Sequence, residues 1–412
     1  MESARAPLPI TFQLGRFFAH TVLVNFLLWL PMWIIFLQQV RGMSLGLIGI
    51  MQGVGFVIAA IAEVPAGAVA DRYGRKVSLF IGSVAFGILT ILYGLVSWIP
   101  LLLLIHILWS VAQTFFSGTD VAVLYDGLKS AGREEEYAKI MGRYTAVVQG
   151  TQAAAALIGS LLAGYTMLQP FLWSGLACIV GGFLLFKFRE PPVGQPSQEN
   201  KGISADLKEA FHLSLQFKTL RNFIFFSTVL SLPTFMLIFF FIQPYVLTSD
   251  IPIGWVGAII LLLRVASITG SALSHRLTKK LKESLILLLL PLIMTLCLAA
   301  AGLAPVVWGI VILFVMGFCS SALRPALAAM LNRMIPSNRR ATVLSMQSLL
   351  FTLMLAGTQT LLSTVVDYSG FPTFFLILSA LVGITGAVFL LFNLRQVDEG
   401  ASQSATTISS DN

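Results

Sequence analysis

The chain has 412 residues, of which 57% are hydrophobic and only 11% charged, and it carries a net charge of +8. A soluble globular domain carries roughly twice that charged fraction, so a water-soluble fold is excluded. The positive balance does not point to nucleic acid, because the basic residues sit in alternate loops between apolar runs, as membrane orientation requires. No nucleic-acid partner is therefore expected.

A helix needs about 20 apolar residues to cross a bilayer. In chain order such runs predict spans at 12–37, 45–69, 77–97, 100–125, 139–166, 169–188, 222–247, 253–275, 283–303, 305–331, 341–366 and 370–393. Several are longer than the membrane is thick, which implies tilt. The first lies beside Arg5 and Arg16, is too long for the apolar part of a cleavable leader and lacks a small-residue cleavage site, so it reads as a retained span. One set of loops holds Arg72, Arg75 and Lys76; Lys129, Arg133 and Lys139; Lys187 through Arg221; Arg276, Lys279, Lys280 and Lys282; and Arg333, Arg339 and Arg340. The other set holds only Arg41. This bias predicts that the first set and both termini are cytoplasmic.

The longest polar stretch, from Glu190 to Arg221, opens with Pro191-Pro192 and divides the spans six and six. The expected fold is all-α and integral to the membrane, with about twelve helices in two six-helix bundles at 1–189 and 222–395. A cytoplasmic linker at 190–221 joins them, with a surface helix around 205–215, and a Ser/Thr-rich tail at 396–412 is expected to be disordered. The halves are weakly repeated. Gly67 to Lys76 after span 2 is echoed after span 8 by Gly270, Ser274, His275 and Arg276, followed by Lys279-Lys280. Parallel six-helix halves place a binding site at their interface in many transporters.

Ionisable residues inside spans are costly and are functional candidates by default. Glu63, Asp120 and Arg324 each lie about 18–20 residues into a span, close to the cytoplasmic edge at 1.5 Å per residue. They are candidates for one acid–base gate layer, with Arg324 as charge partner and Glu63 or Asp120 carrying a proton; snorkelling to the interface is the competing reading. Arg264 falls near the midplane of span 8, followed by Ser267, Ser271 and Ser274 on one face. It suits an anionic substrate or an acidic partner. In span 4, His106, Ser110, Gln113, Ser117 and Asp120 recur at steps of four, three, four and three, which predicts a polar stripe along one helix face. Asn25, Gln149, Gln152 and Gln359 extend the list of cavity candidates. Trp29, Trp33, Phe239 and Phe240 are candidate apolar walls, and Trp98, Trp173 and Trp255 fit an interfacial belt. Cys178, Cys297 and Cys319 lie in apolar runs without CxxC spacing and read as packing residues.

Gly67 to Lys76 fits G-x-x-x-D-[RK]-x-G-[RK]-[RK] in full. With the span count and the central loop, it resembles the major facilitator superfamily over nearly the whole chain. The resemblance implies a secondary transporter in which Gly67 allows close approach of span 11. Asp71 would face the positive N-terminus of span 11 near Ser337–Ala341, with Arg72, Gly74, Arg75 and Lys76 completing a latch of the outward-facing state. Gly159-Ser160 with Ala163-Gly164, and Gly150 upstream, resembles the superfamily's antiporter motif with its proline and one glycine replaced. Tyr125-Asp126-Gly127-Leu128-Lys129, then Gly132-Arg133-Glu134, resembles a segment of bacterial small-molecule exporters. A small-residue packing face accounts equally for the span 5 glycines.

The expected activity is proton-coupled efflux of small hydrophobic molecules by a monomer without cofactor or metal. Uptake of a nutrient or organic anion is the alternative. A non-transporting membrane receptor or enzyme is the third reading; an enzyme would need clustered histidines or acids, whereas the four histidines are well separated, and no G-x-x-x-x-G-K-[ST] is present to bind a nucleotide.

Overall fold

The computed structural model describes residues 10–187, 218–335 and 340–410, which are helical apart from short turns, with no strand among them. The helices are α1 (Ile10–Asn25), α2 (Trp33–Gln39), α3 (Leu45–Tyr73), α4 (Arg75–Leu95), α5 (Ile99–Thr114), α6 (Thr119–Ser130), α7 (Tyr137–Ala163) and α8 (Gln169–Leu184). They continue with α9 (Lys218–Met236), α10 (Ile242–Val246), α11 (Val256–Lys280), α12 (Glu283–Leu303), α13 (Val306–Met334) and α14 (Arg340–Ser410). A π-helical turn, Leu237–Phe241, joins α9 to α10. In hydrocarbon every backbone polar group must find an internal partner, so helices are the form these apolar runs take.

Nine described segments are long and apolar enough to cross a membrane, the last being Val343–Leu391. Gly370, at φ +75°, divides that segment into two helices. With the shorter α8 and the α1–α2 pair, twelve spans result, the number expected from hydropathy. Two spans depart from expectation. Span 1 is not one helix over 12–37 but breaks between Asn25 and Trp33. Span 4 breaks between Thr114 and Thr119, where Gly118 takes φ +71°. Both runs are predominantly apolar, so hydropathy could not reveal the interruptions. The surface helix expected at 205–215 lies outside the described residues. For 396–412, the helical backbone of α14 is described to Ser410.

The chain forms two compact units, Met1–Met43 with Ile50–Gln198 and Pro252–Ala258, and Ser44–Gly49 with Glu199–Ile251 and Ile259–Asn412. Within a membrane, helices associate by close packing rather than by the hydrophobic effect, and small residues set how near they come. In the first unit α4 lies on α8 with glycine against glycine. A Cβ on Gly87 would sit 2.6 Å from the Gly175 carbonyl oxygen, and one on Gly175 would sit 2.5 Å from that of Gly87. Phe17, Leu79, Val123, Leu124, Leu128, Ile140, Tyr144 and Leu185 form a core that ties five spans together. In the second unit, Phe226 stacks on Phe389 at 4.0 Å between ring centroids and Phe241 meets Phe374 at 4.3 Å, which fixes α9 and the π-helical turn against the second half of α14.

The break in span 1 is held by two neighbours in the first unit. The Leu28 N–H, which reaches the Phe26 carbonyl oxygen at 3.2 Å, also donates to Ser174 Oγ of α8 at 2.8 Å. Gly159 of α7 lies against the same residue, and a Cβ there would fall 1.9 Å from the Leu28 carbonyl oxygen. Gly159 is thus a site of helix-to-backbone contact, and packing alone accounts for it.

Candidate functional site

The Gly67–Lys76 segment is the end of α3 and the turn into α4. Gly74 takes φ +95°, ψ 152° as the residue before α4, a backbone state open to glycine and costly for other residues. Arg75 forms an ion pair with Asp126 of α6, the two side chains being 23% and 22% exposed. Lys76 Nζ donates to the Phe186 carbonyl oxygen at 2.9 Å, just past the end of α8, where a cation meets the negative end of a helix. Arg72 lies over the Tyr73 ring at 5.4 Å. The two sequence segments that carry the resemblance therefore meet through Arg75 and Asp126. The coupling energy of this pair in a double-mutant cycle of Arg75→Ala and Asp126→Ala is expected to be about 0.5–1 kcal/mol, read from thermal unfolding of the purified chain.

Asp71 is exposed. Its expected partner, the helix start near Ser337–Ala341, falls largely on 336–339, outside the described residues. Among the described residues, a Cβ on Gly67 would meet nothing within 4 Å. In the second copy the glycine is tightly packed, with a Cβ on Gly270 placed 2.2 Å from the Phe318 carbonyl oxygen.

The polar stripe of span 4 is divided: His106, Ser110 and Gln113 keep their helical spacing on α5, while Ser117 and Asp120 lie past its end. His106 and Ser110 are buried at 1% and 6% exposure, while Gln113 and Ser117 are exposed. Asp120 lies beyond the break, in the first turn of α6. The helical spacing ends after Thr114, where the chain leaves α5 for the turn that contains Gly118. His106 is enclosed by Tyr93 and Trp109, at 6.0 and 5.7 Å between ring centroids, and neither ring nitrogen has a hydrogen-bond partner among the described residues. It is a core residue of the first unit. Trp29 and Trp33 are buried in the same unit, and Phe240 is buried in the second.

Each carboxylate oxygen of Asp120 accepts one hydrogen bond. Tyr144 of α7 donates its hydroxyl to one carboxylate oxygen, and the Val121 N–H donates to the other at 2.8 Å. Asn25 Oδ1 accepts from Gln152 Nε2 at 3.1 Å, linking spans 1 and 5 within the first unit. Glu63 and Gln149 are exposed in that unit, as is Arg324 in the other. Ahead of α7, Arg133 hydrogen-bonds Glu136 at 2.6 and 2.7 Å.

In the second unit, Arg264 is half-buried eight residues past the start of α11, about 12 Å along the helix at 1.5 Å per residue. Its guanidinium lies 5.4 Å from the Phe239 ring centroid. Phe239 belongs to the π-helical turn, and such turns are frequent at functional sites. Phe235 stands beside it at 4.6 Å and meets Phe351 of α14 at 5.7 Å. Ser267, one turn on from Arg264, carries a buried hydroxyl without a hydrogen-bond partner among the described residues. Arg264 and its surroundings thus offer a cation, an aromatic wall and an unused hydroxyl one turn away. Gln359 is buried on α14, and its Nε2 likewise lacks a partner among the described residues.

Asp367 escapes a reading of the sequence. Its two oxygens accept the N–H groups of Leu45 at 3.0 Å and Gly46 at 2.6 Å, capping the start of α3 within the second unit. A Cβ on Gly46 would sit 2.9 Å from the carboxylate. The only signal is an acid in an otherwise apolar stretch before Gly370. Asp367→Ala is expected to cost about 1 kcal/mol, the usual worth of a helix cap, and to speed hydrogen exchange of the Leu45 and Gly46 amides about fivefold.

Two sets of helices long and apolar enough to cross a membrane define the class as a polytopic membrane protein. The chain belongs to the Major Facilitator Superfamily, whose family model matches residues 17–357. An MFS-type transporter of Methanocaldococcus jannaschii, MJ1560, is 25% identical over 240 residues, covering 57% of this chain and 60% of the relative. A second from the same organism, MJ1317, is 28% identical over 129 residues, covering 31% of each. The matches thus span less than two thirds of those relatives' own lengths. Among solved structures, the nucleoside transporter NupG superposes with a TM-score of 0.75 at 15% identity, covering 93% of this chain and 99% of that one. A D-xylose-proton symporter superposes with a TM-score of 0.64 at 14% identity, covering 93% and 95%. At these identities the structural likeness shows the fold alone.

Proposed function

We propose that this chain is a proton-coupled exporter of small, largely apolar molecules that carry one anionic group. Arg264 is the observation that supports this reading most. A guanidinium near the middle of a span costs about 2.5–3.5 kcal/mol on insertion scales. A role in holding substrate accounts for that cost, and the Phe235, Phe239 and Phe351 rings provide an apolar wall beside it. A site with few polar anchors on an apolar surface suits an amphipathic small molecule. Glu63 is the acid proposed to exchange protons, since Asp120 already accepts hydrogen bonds from the Tyr144 hydroxyl and the Val121 N–H and Glu63 is exposed. Asp120 then positions α6 against α7. Asn25 and Gln152 are proposed to contribute polar contacts from the first unit. The orientation with basic loops and termini in the cytoplasm of a bacterial plasma membrane is part of the same proposal.

The test is transport by the purified chain in proteoliposomes under an imposed pH gradient, with matched carboxylate, neutral and quaternary-ammonium probes. Gradient-driven movement of the carboxylate probe, lost in Glu63→Gln, is expected. Identical flux in wild type and Glu63→Gln would overturn the coupling. Proton-linked uptake is the second reading, in which Arg264 holds an acidic substrate taken up from outside. Accumulation along the inward proton gradient would identify it.

A further inference from the structure

We propose that an anionic phospholipid docks on the second unit, in the groove between the first turns of α9 and the second half of α14. The groove has a volume of about 380 Å³, and its walls are Arg221, Asn222, Phe225, Ile384, Thr385 and Val388. Its two ends differ chemically. Arg221 and Asn222 form the polar end, and among the described residues Arg221 has neither an ion-pair nor a hydrogen-bond partner. The rest is apolar, and Phe225, Ile384 and Val388 are 48%, 64% and 49% exposed.

The groove lies where a lipid headgroup meets its chains. The apolar stretch of α9 begins at Leu220, so Arg221 stands at its very edge. The apolar stretch of α14 ends at Leu391, two residues past Phe389. Both boundaries belong to the side of the basic loops. An arginine at this level attracts a phosphate diester, and basic pockets between spans bind anionic headgroups. The floor is preformed, because Phe226 and Phe389 are stacked with 10° between their planes, and Phe223 packs edge-on to Phe389 at 5.7 Å. The volume accommodates a headgroup with the first part of one chain, and the remaining chain follows the exposed face of Phe225, Ile384 and Val388.

The occupant is a lipid rather than a free anion, since the greater part of the lining is hydrocarbon and faces the bilayer. One such arginine is worth about fivefold in preference for anionic over zwitterionic lipid. Native mass spectrometry of the full chain, with phosphatidylglycerol and phosphatidylcholine of identical chains in equal amounts, reads that preference directly. Wild type and Arg221→Lys are expected to retain phosphatidylglycerol about fivefold over phosphatidylcholine, and Arg221→Gln to retain the two equally. Ile384→Trp, which fills the groove and leaves the charge in place, is expected to reduce retention of both. Thermal unfolding of each variant establishes that it is folded. Equal retention by wild type, or a preference unchanged in Arg221→Gln, overturns the proposal.

Discussion

Gly159→Val is expected to leave little folded protein. The first side-chain carbon would fall 1.9 Å from the Leu28 carbonyl oxygen and 2.7 Å from its carbonyl carbon, and both are backbone atoms. Overpacking a core usually costs about 1–3 kcal/mol when side chains can rotate aside. Here α1 or α7 must move as a whole, so a cost at or above the top of that range is expected. The movement would also strain the hydrogen bond from Leu28 N–H to Ser174 Oγ, and because that N–H keeps the Phe26 carbonyl oxygen as a second acceptor at 3.2 Å, the further loss is that of one hydrogen bond, about 0.5–1.5 kcal/mol. Ser174→Ala removes that bond alone and should reproduce this smaller loss. Gly150→Ala, nine residues earlier on the same helix, is the control. Nothing lies within 4 Å of its would-be Cβ, so its melting temperature should stay at or slightly above that of wild type. Thermal unfolding in detergent checks all three. A Gly159→Val protein as stable as wild type would refute the account of the span 1 break.

Arg264→Gln is expected to lower carboxylate-probe flux at least tenfold while leaving the protein folded. Replacing a charge-assisted contact by a neutral one removes about 1.5 kcal/mol or more of interaction with an anion. It also removes the cation from the Phe239 face, worth about 0.5–2 kcal/mol. Arg264→Lys restores the charge without the planar fork and should recover only part of the flux. Flux of a neutral probe should change little in either variant. If neutral and carboxylate probes fell together, Arg264 would be supporting the helix rather than the substrate. Direct binding of the carboxylate probe, measured by fluorescence on the purified variants, separates a weakened site from a slowed conformational cycle.

These two cases divide along what local sequence can carry. The twelve spans, the polar segment between the halves and the isolated arginine of span 8 all follow from hydropathy and charge placement, because the membrane tests each segment separately against the same thickness and polarity. The Gly67–Lys76 pattern likewise marks the superfamily without knowledge of any contact. Gly74 shows why, since the positive φ it takes is a local backbone requirement that glycine meets without a partner on another helix.

What the tertiary structure decided is where backbone and side-chain polar groups find partners on other helices. The apolar run of span 1 looks continuous, yet it breaks at a point where Ser174 accepts from the Leu28 N–H and Gly159 leaves room for the turn. The span 4 stripe obeys helical spacing up to Thr114 and loses it in the turn that contains Gly118. That turn sends Asp120 to Tyr144 and leaves His106 inside an aromatic core. Asp126 becomes the partner of Arg75 on another helix, and Asp367 caps α3 from 322 residues away in the chain. Periodicity within one segment has no access to such distances. The number of spans and the transporter class were therefore legible in the sequence by itself, whereas the breaks within spans 1 and 4 and the partner of each charge were fixed only by packing, because a polar group in a low-dielectric interior must be satisfied by whatever neighbour the fold brings to it.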